Sequence, residues 1–416
     1  MKQPCPGTTA VIIEFGAFMN IRRWYEWKDI NEIQKKIIEG FPIAINGLSD
    51  TQRHHLVYSL IEGTGRKVLY VAANDLQARK AFRNLESLFG EGVFYFPFRE
   101  KMLYDVESKS RDQSFQRIGC LGKMLENDYT VIVLSCESII DYYMPADEFK
   151  SYFISLKTGD TVNIEELIRR LSAVGYEREE MVEAKGQFSI RGGIIDIFPV
   201  QQEKPVRIEL FDIEIDSMRI FDAESQRSYQ NVEQVCIFPA IEFVFTAEQA
   251  GKIAERLNTE LTEYLGGIKD RDLTALFKSN FGIYAEKLKN SGNFAGIDKF
   301  IPYFHDKGHS IFEYLHLNPV IFVEDTERLN QRLENVIKEH VQQCEILIEK
   351  GMILPGTFQM YFEPKDVSFL IGNRQTVYLN SLDEGGTLTD VDRSFLITGK
   401  NIEPYRGHLD QLNKDI

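Results

Sequence analysis

Four short apolar runs alternate with amphipathic helical patterns between residues 41 and 135, and this alternation leaves few folds open. Val68-Leu69-Tyr70-Val71-Ala72-Ala73 offers no polar face, so a strand formed there must be covered on both sides, as in a parallel sheet layered between helices. Ile43-Ala44-Ile45-Asn46, Val93-Phe94-Tyr95-Phe96 and Val131-Ile132-Val133-Leu134 carry the same signature. The spacing between them predicts three helices. One is capped by Asp50 or Thr51 and runs to about Glu62. The next follows Asn74-Asp75, has Leu76, Ala81, Leu85 and Leu88 as its apolar stripe, and stops at Gly90. A third passes through Phe115, Ile118, Leu121 and Leu125. The β-α-β-α-β order argues for an α/β unit with a parallel sheet.

The pattern changes near residue 153. A helix over Ile164–Val174 precedes short alternating strands at 187–190, 194–198, 206–211 and 218–221, the mark of a separate α+β domain with an antiparallel sheet. Residues 247–291 read as helical, and Val320-Ile321-Phe322-Val323 as a buried strand able to rejoin the first sheet. A long polar helix from about Thr326 to Lys350 follows, then short strands and turns over 351–400. The expected division is therefore 1–152 for the first part of the α/β domain and 153–240 for the inserted domain. Residues 241–380 are assigned to a helical segment and the rest of the α/β domain, and 381–416 to a linker or the start of a following domain.

Composition narrows the function. With 48 basic against 63 acidic residues, the net charge of −15 argues against a chain that coats nucleic acid unaided, although a local basic patch is compatible with it. The five cysteines (5, 120, 136, 236 and 344) form no CxxC, and the seven histidines form no HExxH. Neither a disulfide framework nor a zinc site is indicated, and a reducing cytoplasm is expected. No run approaches the ~18 apolar residues of a membrane span. The apolar stretch Val11–Phe18 is interrupted by Glu14 and lacks a cleavage flank, so no signal peptide and no membrane partner are expected.

The turn after Ile43–Asn46 is where a phosphate-binding P-loop would lie, with the pattern G-x-x-x-x-G-K-[ST]. Counting from Gly47, the second glycine is replaced by Gln52, the lysine by Arg53 and the hydroxyl by His54. Gln52 puts a side chain where backbone must curl around phosphate, Arg53 differs from lysine in reach and shape, and His54 is a poor Mg²⁺ ligand. Gly63-Thr64-Gly65-Arg66-Lys67 precedes a strand instead of following one and reads as a helix-to-strand turn. Glu324-Asp325 ends the late strand where a nucleotidase carries Asp-Glu for Mg²⁺ and water, here in swapped order. The expectation is a vestigial nucleotide site at Gly47, Gln52, Arg53, His54, Glu324 and Asp325, with no catalytic residue, cofactor or metal. An ordinary strand-ending glycine is the plainer alternative. An active nucleotide-driven DNA enzyme with Arg53 in place of lysine is the rival.

The most specific stretch is Gly186-Gln187-Phe188-Ser189-Ile190-Arg191-Gly192-Gly193-Ile194-Ile195-Asp196-Ile197-Phe198-Pro199. Arg191-Gly192-Gly193 reads as a kink or bulge within paired strands, and Asp196 alternates to the polar face. Downstream, Val206, Ile208 and Leu210 face one side of the sheet, and Arg207, Glu209 and Phe211 the other. An exposed Phe211 among charges suggests a protein-docking surface, with an ordinary solvated face as the alternative.

These residues, with Phe211-Asp212-Ile213-Glu214-Ile215-Asp216-Ser217 and Phe221-Asp222 through Gln226-Arg227-Ser228, closely resemble the bacterial transcription-repair coupling factors (the Mfd family). The same region is similar to domain 2 of the excision-repair protein UvrB. The resemblance extends through Ala295-Gly296-Ile297-Asp298, Ile311-Phe312-Glu313-Tyr314-Leu315 and Phe322-Val323-Glu324-Asp325. It implies a degenerate P-loop, RecA-like domain (UvrB domain 1-like) carrying a UvrB domain 2-like insertion, together forming the family's N-terminal module. UvrB itself has an intact P-loop and a Tyr-rich DNA-clamping hairpin. Here the loop is broken, and Arg99–Arg111 is too short for that hairpin and holds one tyrosine, Tyr104.

The resemblance further implies a non-catalytic adaptor that binds UvrA to bring excision repair to stalled RNA polymerase. The family's contact residues fall on Arg191, Arg207 and Phe211, and similarity to UvrB adds Arg178 and Glu209. Ser189 and Lys185 stand where UvrB has further arginines. RNA polymerase, double-stranded DNA, ATP and Mg²⁺ belong to C-terminal domains of the family for which no motif set is found here, so the chain is expected to be a fragment. Intramolecular masking of the docking face by those domains is a further possibility the resemblance carries.

Overall fold

The computed structural model describes residues 30–397 apart from positions 41, 63, 102, 104–110, 291–293, 295–296, 306, 317 and 382–392. The expectations for Cys5, the stretch 11–18, Gly63, Tyr104, Ala295-Gly296 and most of 381–416 lie outside the described residues.

Helix α1 (Ile30–Glu39) buries Ile30, Ile33 and Ile37, a one-face spacing of three and four. Strands β1 (Ile43–Asn46), β2 (Val68–Ala72), β3 (Val93–Phe96) and β4 (Val131–Ser135) alternate with α2 (Asp50–Ile61), α3 (Asp75–Phe89) and α4 (Asp112–Glu126). Every residue of β1, β2 and β4 is buried, as continuous apolar runs require. Fully burying a side chain such as Val71 or Ile132 contributes about 2 kcal/mol before the entropy of ordering it is counted.

After β4 the chain leaves the sheet. Strand β5 (Ile154–Lys157) pairs antiparallel with the later β12 (Gln234–Ile237). Between them lie α5 (Ile164–Ala173) and strands β6 (Glu177–Arg178), β7 (Gln187–Arg191), β8 (Ile194–Ile197), β9 (Val206–Phe211), β10 (Glu214–Phe221) and β11 (Ser228–Val232). These six strands make one sheet in the order β11-β10-β9-β8-β7-β6. Its pairs are antiparallel except for the short parallel pair β6–β7, so the sheet is mixed at that edge.

Helices α6 (Ala247–Gly266) and α7 (Arg271–Asn290) follow and pack around Leu257, Phe277 and Phe281. Strand β13 (Val320–Glu324) then inserts between β2 and the later β14 (Thr376–Leu379), parallel to both. Helix α8 (Thr326–Glu349) and helix α9 (Pro364–Gly372) precede β14, and β15 (Arg393–Leu396) pairs parallel with β1. The large sheet thus runs β15-β1-β14-β13-β2-β4-β3, and all its neighbours are parallel.

Several local expectations are corrected. Helix α2 is capped by Ser49, one residue before the expected cap, and Gln52 accepts hydrogen bonds at 2.9 Å from both the Ser49 amide and its hydroxyl. Leu76 is 76% exposed, because the buried face of α3 runs through Ala78, Ala81 and Leu85 and the second helical position points away from it. Arg191-Gly192-Gly193 is not a bulge. Arg191 pairs with Ile194, so Gly192-Gly193 form a two-residue hairpin turn, with φ +62° at Gly192. The turns expected over 351–400 include α9, whose Pro364 stands at a helix start, where a missing amide costs no hydrogen bond. The stretch 381–416 contributes β15 to the large sheet.

Candidate docking face and the loop after the first strand

Strand register decides which side chains of the inserted domain share a face. Ser189, Asp196, Arg207 and Arg219 lie opposite one another across β7, β8, β9 and β10. Arg191, Ile194 and Glu209 lie two residues along the same strands, and therefore on the same face. Val206 and Ile208 alternate to the other side and are buried in the core with Phe188, Ile195 and Ile197. Phe211 ends β9 on the charged face and is 80% exposed.

At the centre of that face sits Asp196, 1% exposed. Its Oδ1 accepts from Arg207 Nε at 2.7 Å, and its Oδ2 from Arg207 Nη2 at 2.9 Å and Arg191 Nη2 at 2.7 Å. Arg207 also donates to the Gln226 backbone oxygen and to Gln226 Oε1, both at 3.3 Å, and its guanidinium lies 4.6 Å from the Phe221 ring centre. The hydrogen bonds to Asp196 keep Arg207 firmly protonated against the cost of burial. Glu209 accepts from Ser217 at 3.2 Å and Arg219 at 3.4 Å, which fixes its orientation.

Arg191, Arg207, Glu209 and Phe211 are therefore brought onto one face. Arg178 is not: it lies on the edge strand β6 in the row of the core residue Phe188, three strands from Arg207. Ser189 is buried and donates to the Glu180 backbone oxygen at 2.8 Å, and Lys185 pairs with Glu203 at 2.8 Å. Sequence reasoning missed Ile213, exposed in the β9–β10 turn beside Phe211, and Ile194, partly exposed beside the glycine turn. It also missed the role of Asp196. The available signal was an aspartate within an apolar strand, flanked in sequence by two arginines of matching alternation.

In the α/β body, Gly47 has φ +83°, and a Cβ there would stand 2.3 Å from the Ile397 carbonyl oxygen, so this position needs glycine for reasons internal to the sheet. Arg53 is fully buried. Its Nη1 lies 2.7 Å from Glu324 Oε1, its Nη2 lies 2.8 Å from Asp325 Oδ1, and Nη2 also donates to the Ser381 hydroxyl. Asp325 is held in turn by the Ser381 amide at 2.9 Å and hydroxyl at 2.7 Å. Burial pushes the Glu324 carboxyl up to about 7, against the pull of Arg53. His54 is buried against Tyr70, with Nδ1 3.1 Å from Asn84, and burial drives its pKa down to about 4.

Among the described residues no group of three or more His, Cys, Asp and Glu is arranged to hold a metal ion. No described helix is long and apolar enough to cross a membrane.

Residues 154–243 match the family model of the UvrB interaction domain. Over 326 residues the chain is 30% identical to the transcription-repair-coupling factor of Bacillus subtilis, a match covering 77% of this chain and 28% of that protein. It is 27% identical over 339 residues to the transcription-repair-coupling factor of Staphylococcus aureus, covering 81% of this chain and 28% of that protein. The chain spans little more than a quarter of the length of these relatives. The α/β body, the inserted sheet with its arginine-bearing hairpin and these matches together mark the chain as a UvrB-like module of the transcription-repair-coupling factor family.

Proposed function

We propose that the chain is a recruitment platform, a non-catalytic adaptor whose inserted domain binds UvrA and so links excision repair to transcription. The observation that carries this reading is the shared face of Arg191, Arg207, Glu209 and Phe211, where an 80%-exposed aromatic stands beside ordered arginines. Arg191 and Arg207 make charge-assisted hydrogen bonds to acidic groups of the partner, and Phe211 is the apolar anchor. Glu209 meets a basic group. RNA polymerase, double-stranded DNA, ATP and Mg²⁺ are assigned to parts of the longer relatives beyond this chain.

The same proposal makes the nucleotide site vestigial. Three contacts support it. Gln52 is engaged with its own helix cap, Arg53 with the two acids that would otherwise serve Mg²⁺, and His54 with Asn84. These residues do not fit a Mg²⁺–nucleotide.

The test is calorimetric titration of purified UvrA into this chain and into its Arg191→Ala/Arg207→Ala variant. The wild type is expected to bind and the variant to lose at least about 2 kcal/mol. Equal affinity for the two folded proteins overturns the assignment. Melting with millimolar Mg-ATP checks the second part: no upward shift is expected, and a clear shift restores the enzyme reading.

A further inference from the structure

Asp196 is the one side chain of the inserted sheet that is fully buried, acidic and bonded to two arginines at once. A buried carboxylate is costly unless it is paired and its lone pairs are occupied, and here three N–H donors satisfy it. The pairing spans three strands: Arg207 faces Asp196 directly across β8–β9, and Arg191 reaches it from the neighbouring β7. Arg207 is held on its other side by Gln226 and rests on the Phe221 ring. Its side chain is only 16% exposed, whereas that of Arg191 is 49% exposed.

We infer that Asp196 is a positioning residue for the docking face, rather than a contact residue. This rests on the proposed binding of UvrA through Arg191 and Arg207. Through the two oxygens of one carboxylate, it fixes both guanidinium groups before the partner arrives. Long flexible side chains lose rotamer freedom on binding, and arginines already ordered lose less. The bidentate pair also sets the plane of the Arg207 fork, which a lone electrostatic attraction does not. Arg191 is tied through one terminal nitrogen, so its exposed part is directed without being covered. Burial keeps Asp196 from competing for the partner itself.

The inference separates from a simple charge-patch account by the sign of one result. Neutralising Asp196 adds a net positive charge to the face. A patch that binds acidic groups by charge alone then binds more tightly. Two arginines released from their common anchor bind more weakly.

The experiment is titration of UvrA against the whole chain carrying Asp196→Asn, Arg191→Ala, or both, with melting curves for each. Expected is a loss of about tenfold or more for Asp196→Asn and a smaller further loss when it is added to Arg191→Ala, because the two act through a shared group. Unchanged or tighter binding by folded Asp196→Asn overturns the inference and leaves the UvrA reading standing. Full additivity with Arg191→Ala also overturns it. A wild-type chain that does not bind UvrA overturns both. Should the Asn variant fail to fold, Gln226→Ala leaves Asp196 in place and removes the Gln226 Oε1 bond to Arg207, together with the Gln226 amide's bonds to the Val182 and Ala223 carbonyl oxygens, whose loss the melting curve reports. It must then weaken binding, and unchanged affinity counts against positioning.

Discussion

Arg53 occupies the position a P-loop gives to lysine, and the difference between the two side chains governs what the loop can do. A guanidinium presents a planar fork of donors, whereas an ammonium is a compact point charge. The fork lets Arg53 reach Glu324, Asp325 and Ser381 together, joining α2 to the end of β13 and the turn after β14. Such a buried pair need not exceed a well-packed apolar substitute in stability, but removing one partner leaves uncompensated charge. Arg53→Met is therefore expected to destabilise the fold by about 3 kcal/mol or more, read from urea unfolding. Arg53→Lys should also melt below the wild type, because one ammonium cannot match the fork, and should stay unresponsive to Mg-ATP. A lysine variant that gains a Mg-ATP-dependent melting shift would sink the vestigial reading.

At the scale of elements, the hairpin β7–β8 shows how little sequence separates a bulge from a turn. Gly192 lies at φ +62° with open space around its would-be Cβ, so a side chain meets backbone strain and no steric neighbour. Gly192→Val is expected to cost about 1–2 kcal/mol through the left-handed backbone alone, and Gly192→Asn distinctly less, by thermal denaturation. Equal losses for the two would point to something other than φ. The alternation of β9 was legible because its apolar residues fall at every second position, as was the parallel sheet, because β2 and β4 have no polar face. Other features were not legible. Arg191-Gly192-Gly193 permits either a bulge or a turn, and only the pairing of Arg191 with Ile194 decides. Leu76 joins an apolar stripe by eye but falls out of the phase of Ala78, Ala81 and Leu85. Asp196 reads as a surface residue until its neighbours on two other strands are known. The Arg53 contacts link residues 271 and 272 positions apart, a separation no local pattern reports.

At the scale of the whole molecule, three buried titrating groups pull stability in opposite directions as pH changes. His54 and His340 are driven down to about 4 by burial, from 6.5, with Arg53 and Lys101 adding positive charge nearby. Unfolding releases each to bind a proton between those values, so their contribution is present above pH 6.5 and is lost as pH falls toward 4. Glu324 acts in the opposite sense. Burial raises its carboxyl from 4.5 to about 7, so its contribution is present below pH 4.5 and is lost as pH rises through 7. Between pH 4.5 and 6.5 these two histidines take up two protons in the unfolded chain where Glu324 takes up one in the folded chain, and His55, also lowered by burial, adds in the histidines' direction. Stability from His54, His340 and Glu324 should fall by about 1.4 kcal/mol for each pH unit of acidification in that window. Their three sites lie in the α/β body, so the effect belongs to the scaffold and not to the docking face. Replacing His340 with Gln removes one of the histidine protons that oppose Glu324. The variant's stability, measured by urea unfolding at pH 5.0, 5.5, 6.0 and 6.5 at constant ionic strength, should fall less steeply on acidification than that of the wild type. Parallel slopes for the two proteins would show that His340 is not among the groups that titrate on unfolding.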